Sequence, residues 1–223
     1  MSSEHLEIKD LVDPNHTALL LVECQNGVIG ENSSFPALAE ASKNIIANLG
    51  KLAQAARNSK IKVVHGLAMI RNDDWGSNNN ARLFGAARRS PIKQLPDTEA
   101  VEPIKEVGFN VESDVLLPRF HGLSPTSGTE LDALLRNEGI STVVVSGVSL
   151  NVAVQNCVFD LINNAYQVVV PIDAVAGVPP EYGKTIIEHT LAVLATLTDV
   201  ESLIKVWSKL KFSIRLSSSF DFL

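Results

Sequence analysis

The sequence predicts an α/β fold, a doubly wound, mostly parallel six-stranded sheet with helices on both faces. Three observations lead there. Short, fully apolar runs recur along the chain, and such runs belong to strands covered on both faces. Longer stretches with apolar residues at helical spacing alternate with them. The 223 residues, 45% of them hydrophobic, suffice for one domain with a sizeable core. Alternating β and α in this order implies right-handed crossovers and a ligand crevice beyond the carboxyl ends of the strands.

In chain order, residues 1–16 form a lead-in to a domain expected over 17–208. The first strand is "ALLLVE" at 18–23. "FPALAEASKNIIANLGKLAQAARNSK" at 35–60 reads as a helix with Pro36 near its start, where a missing N–H costs nothing. "KVVHGL" at 62–67 is the second strand. The segment from "MIRNDDWGSNNNARLFGAARRSP" to "GFNVES" then breaks the rhythm for about forty residues, the length of a lid, a binding loop or an interface arm. "DVLLP" at 114–118 is the third strand, and "GTELDALLRNEGI" carries a helix ending near Gly139. "TVVVSG" at 142–147 is the fourth strand. It turns sharply through Gly147 into a helix beginning at Leu150 or Asn151, an elbow at which first-turn N–H groups face whatever sits there. "QVVVPI" at 167–172 is the fifth strand and "VLATLT" at 193–198 a weaker sixth. Residues 209–223, ending in "SIRLSSSFDFL", read as a flexible tail or docking arm.

Several function classes are excluded at this level. A net charge of −6, with no run of Lys and Arg interleaved with aromatics, does not suit a nucleic-acid surface. No stretch approaches the run of about twenty apolar residues a membrane span requires. Two cysteines are too few for a disulfide framework, and the N-terminus has no apolar export segment, so a cytoplasmic protein is expected. His5, His16, His65, His121 and His189 form no H-x-x-x-H or HExxH pair, the cysteines have no CxxC spacing, and neither GxGxxG nor GxxxxGK[ST] occurs. No metal and no cofactor is expected.

Chemistry is therefore sought at the strand ends. Glu23 closes the first strand, where an apolar setting tightens a carboxyl group's hold on its proton and suits it to acid or base work. A loop cap or an ion pair with Arg is the plainer reading. Arg119, Phe120 and His121 close the third strand, and Arg119 is placed either to grip a carboxylate or carbonyl or to pair with Glu23. His65, alone on an apolar strand, reads as a core histidine. The elbow offers Ser149, Asn151 and Ala153, with a cysteine only at 157.

Taken in order, "ALLLVECQNGVIG", "SGTELDALLRNEGISTVVVSGVSLNVAV" and "AYQVVVPIDAVAG" resemble the isochorismatase-like hydrolase superfamily, the cysteine hydrolases, over about Thr17 to Trp207. The resemblance implies an Asp after the first strand, a Lys after the third and a Cys nucleophile opening the helix after the fourth, with backbone N–H groups at the elbow holding an oxyanion, often beside a cis peptide. Carried onto this chain, the acid is Glu23, the Lys position falls at Arg119 or Phe120, and the Cys position falls on Ala153. Cys157 lies one helical turn further on, about 6 Å deeper, and reads as a core thiol. Gln25, Phe120, His121, Val148 and Asn151 are the candidate substrate contacts, with Leu123 and Trp75 as further wall residues. The resemblance also implies a cis peptide between Val148 and Ser149 and a homodimer or larger homo-oligomer.

Three functions stay open. One is a hydrolase without a cysteine, using Glu23 as general acid, like the true isochorismatases that cleave an enol ether by protonating it. The second is a binding or regulatory module gripping a small carboxylate through Arg119 and His121. The third is an amidohydrolase that recruits Ser149 or Cys157.

Overall fold

The structure is a computed structural model and describes residues 7–218. Its centre is a six-stranded sheet of order β3-β2-β1-β4-β5-β6 in which every pairing is parallel. A short helix α1 (Ile8–Leu11) precedes β1 (Thr17–Val22), and the single turn α2 (Asn26–Ile29) leads to the long α3 (Pro36–Asn58). β2 (Lys62–Ala68) is followed by the broken-rhythm segment, which carries an unforeseen helix, α4 (Arg82–Arg89), and a 3-10 turn at Glu99–Val101. β3 (Val115–Arg119), α5 (Leu131–Asn137) and β4 (Thr142–Gly147) come next. After the elbow come α6 (Gln155–Asn163), β5 (Gln167–Pro171), α7 (Pro180–His189), β6 (Thr196–Thr198) and α8 (Val200–Ser218).

The alternation of β1 builds both cores. Leu19 and Leu21 face α1, α3 and α8, joining Leu49, Leu52 and Trp207, whose indole N–H donates to the Val12 carbonyl at 3.0 Å. Ala18, Leu20 and Val22 face the other way, toward Leu131, Val158, Leu161 and Ile186 on α5, α6 and α7. Two apolar faces on one strand demand a continuous apolar run, which is why the central strands were legible.

Departures from expectation sit at the edges. β6 is three half-exposed residues paired with β5 alone, shorter than the expected 193–198, whose first residue, Val193, instead closes a 3-10 turn at Leu191–Val193. α8 runs through Ser218, so the segment read as a tail from residue 209 continues this helix that far; residues 219–223 lie outside the described residues. No helix among the described residues is long and apolar enough to cross a membrane.

His65 is 1% exposed and packed edge-on against Phe109. Its Nε2 lies 3.0 Å from Asp114 Oδ2, which also accepts from Arg57 at 2.6 Å, while Nδ1 is buried without a partner. Burial on its own would raise Asp114, but hydrogen bonds from Arg57, His65, the Asn110 N–H and Ser113 hold it at about 2. Burial also lowers His65, so it stays neutral at pH 7.

Candidate active site

The strand order reverses between β1 and β4, and it is beyond the carboxyl ends there that a cleft opens. Its volume is about 150 Å³, and Glu23, Arg119, Phe120, His121, Leu123, Ser149, Val152 and Ala153 lie along it. Glu23 is the first residue past β1. Its backbone has φ 53°, a left-handed conformation that a non-glycine residue seldom adopts, and its N–H donates to the Gly66 carbonyl at 2.8 Å. Such conformations persist where the surroundings enforce them, and they gather at functional sites.

Arg119 comes from β3, two strands from β1, and reaches past β2, on which Ala68 is its register partner. Its Nη2 donates to Glu23 Oε1 at 2.5 Å, and its Nη1 donates to the carbonyls of Gly122 and His121. Of the two positions to which the lysine was carried, Arg119 is therefore the one that reaches the acid, while Phe120 forms wall. The guanidinium's hydrogen bonds go to Glu23 and backbone, so the expected grip on a ligand carboxylate is not what this geometry provides. Burial of Glu23 pushes its carboxyl above the ordinary glutamate range, and the opposing pull of Arg119's charge and hydrogen bond is the weaker effect.

At the elbow, Gly147 has φ 104°, and a Cβ there would stand 2.3 Å from the Val22 carbonyl oxygen, so only glycine fits. The Val148–Ser149 peptide is cis, as the resemblance implied. Ser149 precedes a π-helical turn at Leu150–Val154, and the Leu150 N–H donates to the Ala176 carbonyl at 2.7 Å. Ala153 lies in this turn at the cleft and is 2% exposed. Cys157 is one turn deeper on α6, fully buried in the core, and burial pushes its thiol well above the usual range. Cys24, beside the acid, is also buried, and burial raises its thiol in the same way.

Three expected substrate contacts are placed elsewhere. Gln25 is fully buried; its amide donates to the Ala68 and Ala100 carbonyls, at 2.9 and 3.2 Å, and accepts the Ala68 N–H at 2.7 Å. It pins the end of β2 to the 3-10 turn and is not part of the cleft lining. Asn151 is engaged in the same way with Val178, donating to its carbonyl at 3.0 Å. Val148 is a core residue. Trp75 is 79% exposed and stands outside the cleft lining.

Other wall residues were not foreseen. Phe35 and Leu38 come from the start of α3, Met69 and Ile70 from the end of β2, and Leu83, Phe84, Ala87 and Arg88 from α4. Ser77 and Asn78 join them; Ser77 Oγ is buried without a hydrogen-bond partner, while Asn78 Oδ1 accepts the Gly122 N–H at 2.8 Å. A broken strand–helix rhythm was the sequence signal that this segment does something particular. Among the described residues, no group of three or more His, Cys, Asp or Glu is placed to hold a metal ion.

An acid at the end of β1, an arginine from β3 on that acid and a glycine elbow after β4 make one arrangement, and comparison with known proteins supplies its family. The Isochorismatase domain matches residues 17–202. This chain belongs to the isochorismatase family. The isochorismatase family protein YecD of Escherichia coli O157:H7, itself uncharacterized, is 23% identical over 84% of this chain and 94% of its own. The ureidoacrylate amidohydrolase RutB of Serratia proteamaculans is 25% identical over 77% and 74%. Among solved structures, a cysteine hydrolase from Pseudomonas syringae pv. phaseolicola superposes with a TM-score of 0.75 at 20% identity, covering 90% of this isochorismatase-family chain and 96% of its own. The N-carbamoylsarcosine amidase of Thermoplasma acidophilum does so with a TM-score of 0.66 at 25% identity, over 83% and 96%.

Proposed function

We propose that this isochorismatase-family protein hydrolyses a small molecule by general-acid catalysis from Glu23, without a cysteine nucleophile. Relatives named as an amidohydrolase and an amidase support hydrolysis of a small molecule. The observation that carries the finer reading is Glu23 itself, mostly buried at the cleft with its carboxyl raised, while alanine stands at position 153 and both cysteines are sealed in the core. A raised carboxyl holds a proton to give, and chemistry that needs only a proton needs no nucleophilic side chain.

An enol ether fits this machinery. Glu23 gives its proton to the alkene carbon, the oxocarbenium ion is captured by water, and the hemiketal collapses to a carbonyl compound and an alcohol while the proton from water returns to Glu23. Arg119 steadies the carboxylate left after proton transfer, and the apolar wall limits competing water. Isochorismate and other enol ethers are thus better candidate substrates than primary amides.

The test compares enol ethers, esters and primary amides with the wild-type protein and Glu23→Gln. Enol-ether turnover should vanish in Glu23→Gln with ligand affinity mostly retained, and wild-type rates should fall as rising pH strips the acid of its proton. Unchanged turnover in Glu23→Gln removes the mechanism. A silent panel, alongside saturable binding of a small molecule, would make the protein a binding module. Light scattering would test the homo-oligomer that the resemblance implies.

A further inference from the structure

The cleft is divided between a polar floor at Glu23 and an apolar wall, and proton transfer explains only the floor. We propose that the ligand carries a neutral hydrocarbon group, about one six-membered ring in size, seated between α4 and the first turn of α3. This deepens the reading of the cleft as an active site and rests on it.

On α4, Leu83, Phe84 and Ala87 lie at i, i+1 and i+4, one face of a helix, and all three line the cleft. No residue of α4 is buried, and Leu83 is 40% exposed, so this apolar face has no protein partner that covers it fully. Phe35 and Leu38 present a second apolar surface to the same space. The whole cleft, floor and wall together, has about 150 Å³, the scale of a cavity that takes one molecule of benzene, which limits the group to a single ring.

Charge argues for a neutral group. Arg119 is turned to Glu23 and to backbone carbonyls, and Arg88 is turned to Asp74 Oδ1 at 3.3 Å and the Ser77 carbonyl at 3.4 Å. Arg88 belongs to the wall, but its guanidinium is held on Asp74 and the Ser77 carbonyl, as that of Arg119 is held on Glu23. A carboxylate placed there would lose its hydration without a partner, whereas a hydrocarbon loses nothing and covers α4. The substrate class that results is an enol ether bearing an alkyl or aryl group, cleaved at the floor and held by the wall.

The experiment titrates the full chain with ethanol, butanol, hexanol and benzyl alcohol, following backbone amide shifts by NMR. Kd should fall roughly fourfold per added methylene, with shifts centred on α4 and the start of α3. Leu83→Ser and Phe84→Ser should each flatten that dependence, weakening hexanol far more than ethanol, and keep the parent's Tm, since neither side chain is buried. Glu23→Gln should keep the dependence in full. Equal affinity along the series, an unaltered dependence in both α4 variants, or no saturable binding of hexanol and benzyl alcohol at their solubility limits overturns the proposal. Loss of enol-ether turnover in Glu23→Gln together with a flat alcohol series would leave the acid standing and remove the hydrocarbon site alone; retained turnover with a steep series would do the reverse.

Discussion

Gly147→Ala probes the elbow on which the site depends. The added Cβ would lie 2.3 Å from the Val22 carbonyl oxygen, 2.8 Å from Cys24 Sγ and 2.9 Å from the Val22 N, in a backbone of φ 104°. Two of those three atoms are backbone, so no rotamer change relieves the contact. The conformational strain is worth about 1–3 kcal/mol and the forced overpacking about as much again. Against them, alanine's stiffer unfolded chain returns about 0.4–1 kcal/mol. The net loss is roughly 1–6 kcal/mol, set against the 5–15 kcal/mol that holds an ordinary domain together. Gly139→Ala is the matched control, because Gly139 also has positive φ, 67°, but has nothing within 4 Å of the added carbon; it should cost only about 1 kcal/mol. Urea midpoints at constant slope measure both. Equal midpoints for the two variants would refute the reasoning. Val22 also accepts the Val148 N–H at 2.9 Å and precedes Glu23, so Gly147→Ala should displace the acid, and any Glu23-dependent turnover should fall with stability.

Glu23, raised on folding, contributes stability that is complete below its ordinary value of 4.5 and is lost as pH rises through its folded value. Glu23→Gln should therefore gain on the parent as pH climbs, by at most about 1.4 kcal/mol per pH unit, and a stability difference that stays flat between about pH 4 and about pH 7 would count against burial as the dominant effect. Native protein should be inert to thiol reagents because Cys24 and Cys157 are buried and neither lines the cleft, whereas Ala153→Cys, as little exposed but on the cleft lining, should titrate one thiol; rapid labelling of the parent would contradict the placement of both cysteines. Asp114→Asn, which leaves Arg57 and His65 facing a neutral amide, should cost roughly 3–5 kcal/mol in urea unfolding, and a loss under 1 would show the cluster to be replaceable. In the parent, the lowered His65 contributes stability present above 6.5 and lost as pH falls below it, and Asp114 adds a second loss between 3.8 and about 2. Because Glu23 gains stability over the same fall in pH, the His65 loss is read in the Glu23→Gln background, where urea midpoints should decline below pH 6.5; midpoints flat from there to about pH 4 would refute the assignment to His65.

The sheet and its mouth were legible because central parallel strands cannot avoid apolar runs, and the last residue of each run marks the crevice. Glu23 and Arg119 followed from that rule, Ser149 from the elbow after β4 and Ala153 from the family resemblance, and all four are found along the cleft. What a polar residue beside a motif turns toward was not legible. Gln25 and Asn151 stand as close in sequence to Glu23 and Ala153 as a ligand contact would, yet their amides serve the backbone at Ala68, Ala100 and Val178, partners fixed only by tertiary folding. Nor was α4 read from the sequence, although Leu83, Phe84 and Ala87 share one face, because a helix of eight residues that buries none of them offers only a two-turn pattern inside a long polar segment. The balance at Glu23 between desolvation and Arg119 likewise depended on depth and distance, which no residue order contains.

Arg119 reaches from β3 past β2 to Glu23, and Ala68, its register partner on β2, is also part of the cleft surface. A larger side chain at that place would narrow the chamber and lift the arginine from its acid in a single stroke. Molecular fit and proton affinity are therefore coupled traits in this scaffold: drift toward a slimmer ligand through position 68 would retune the acid as well, and a lineage keeping one property constant would have to compensate in the other.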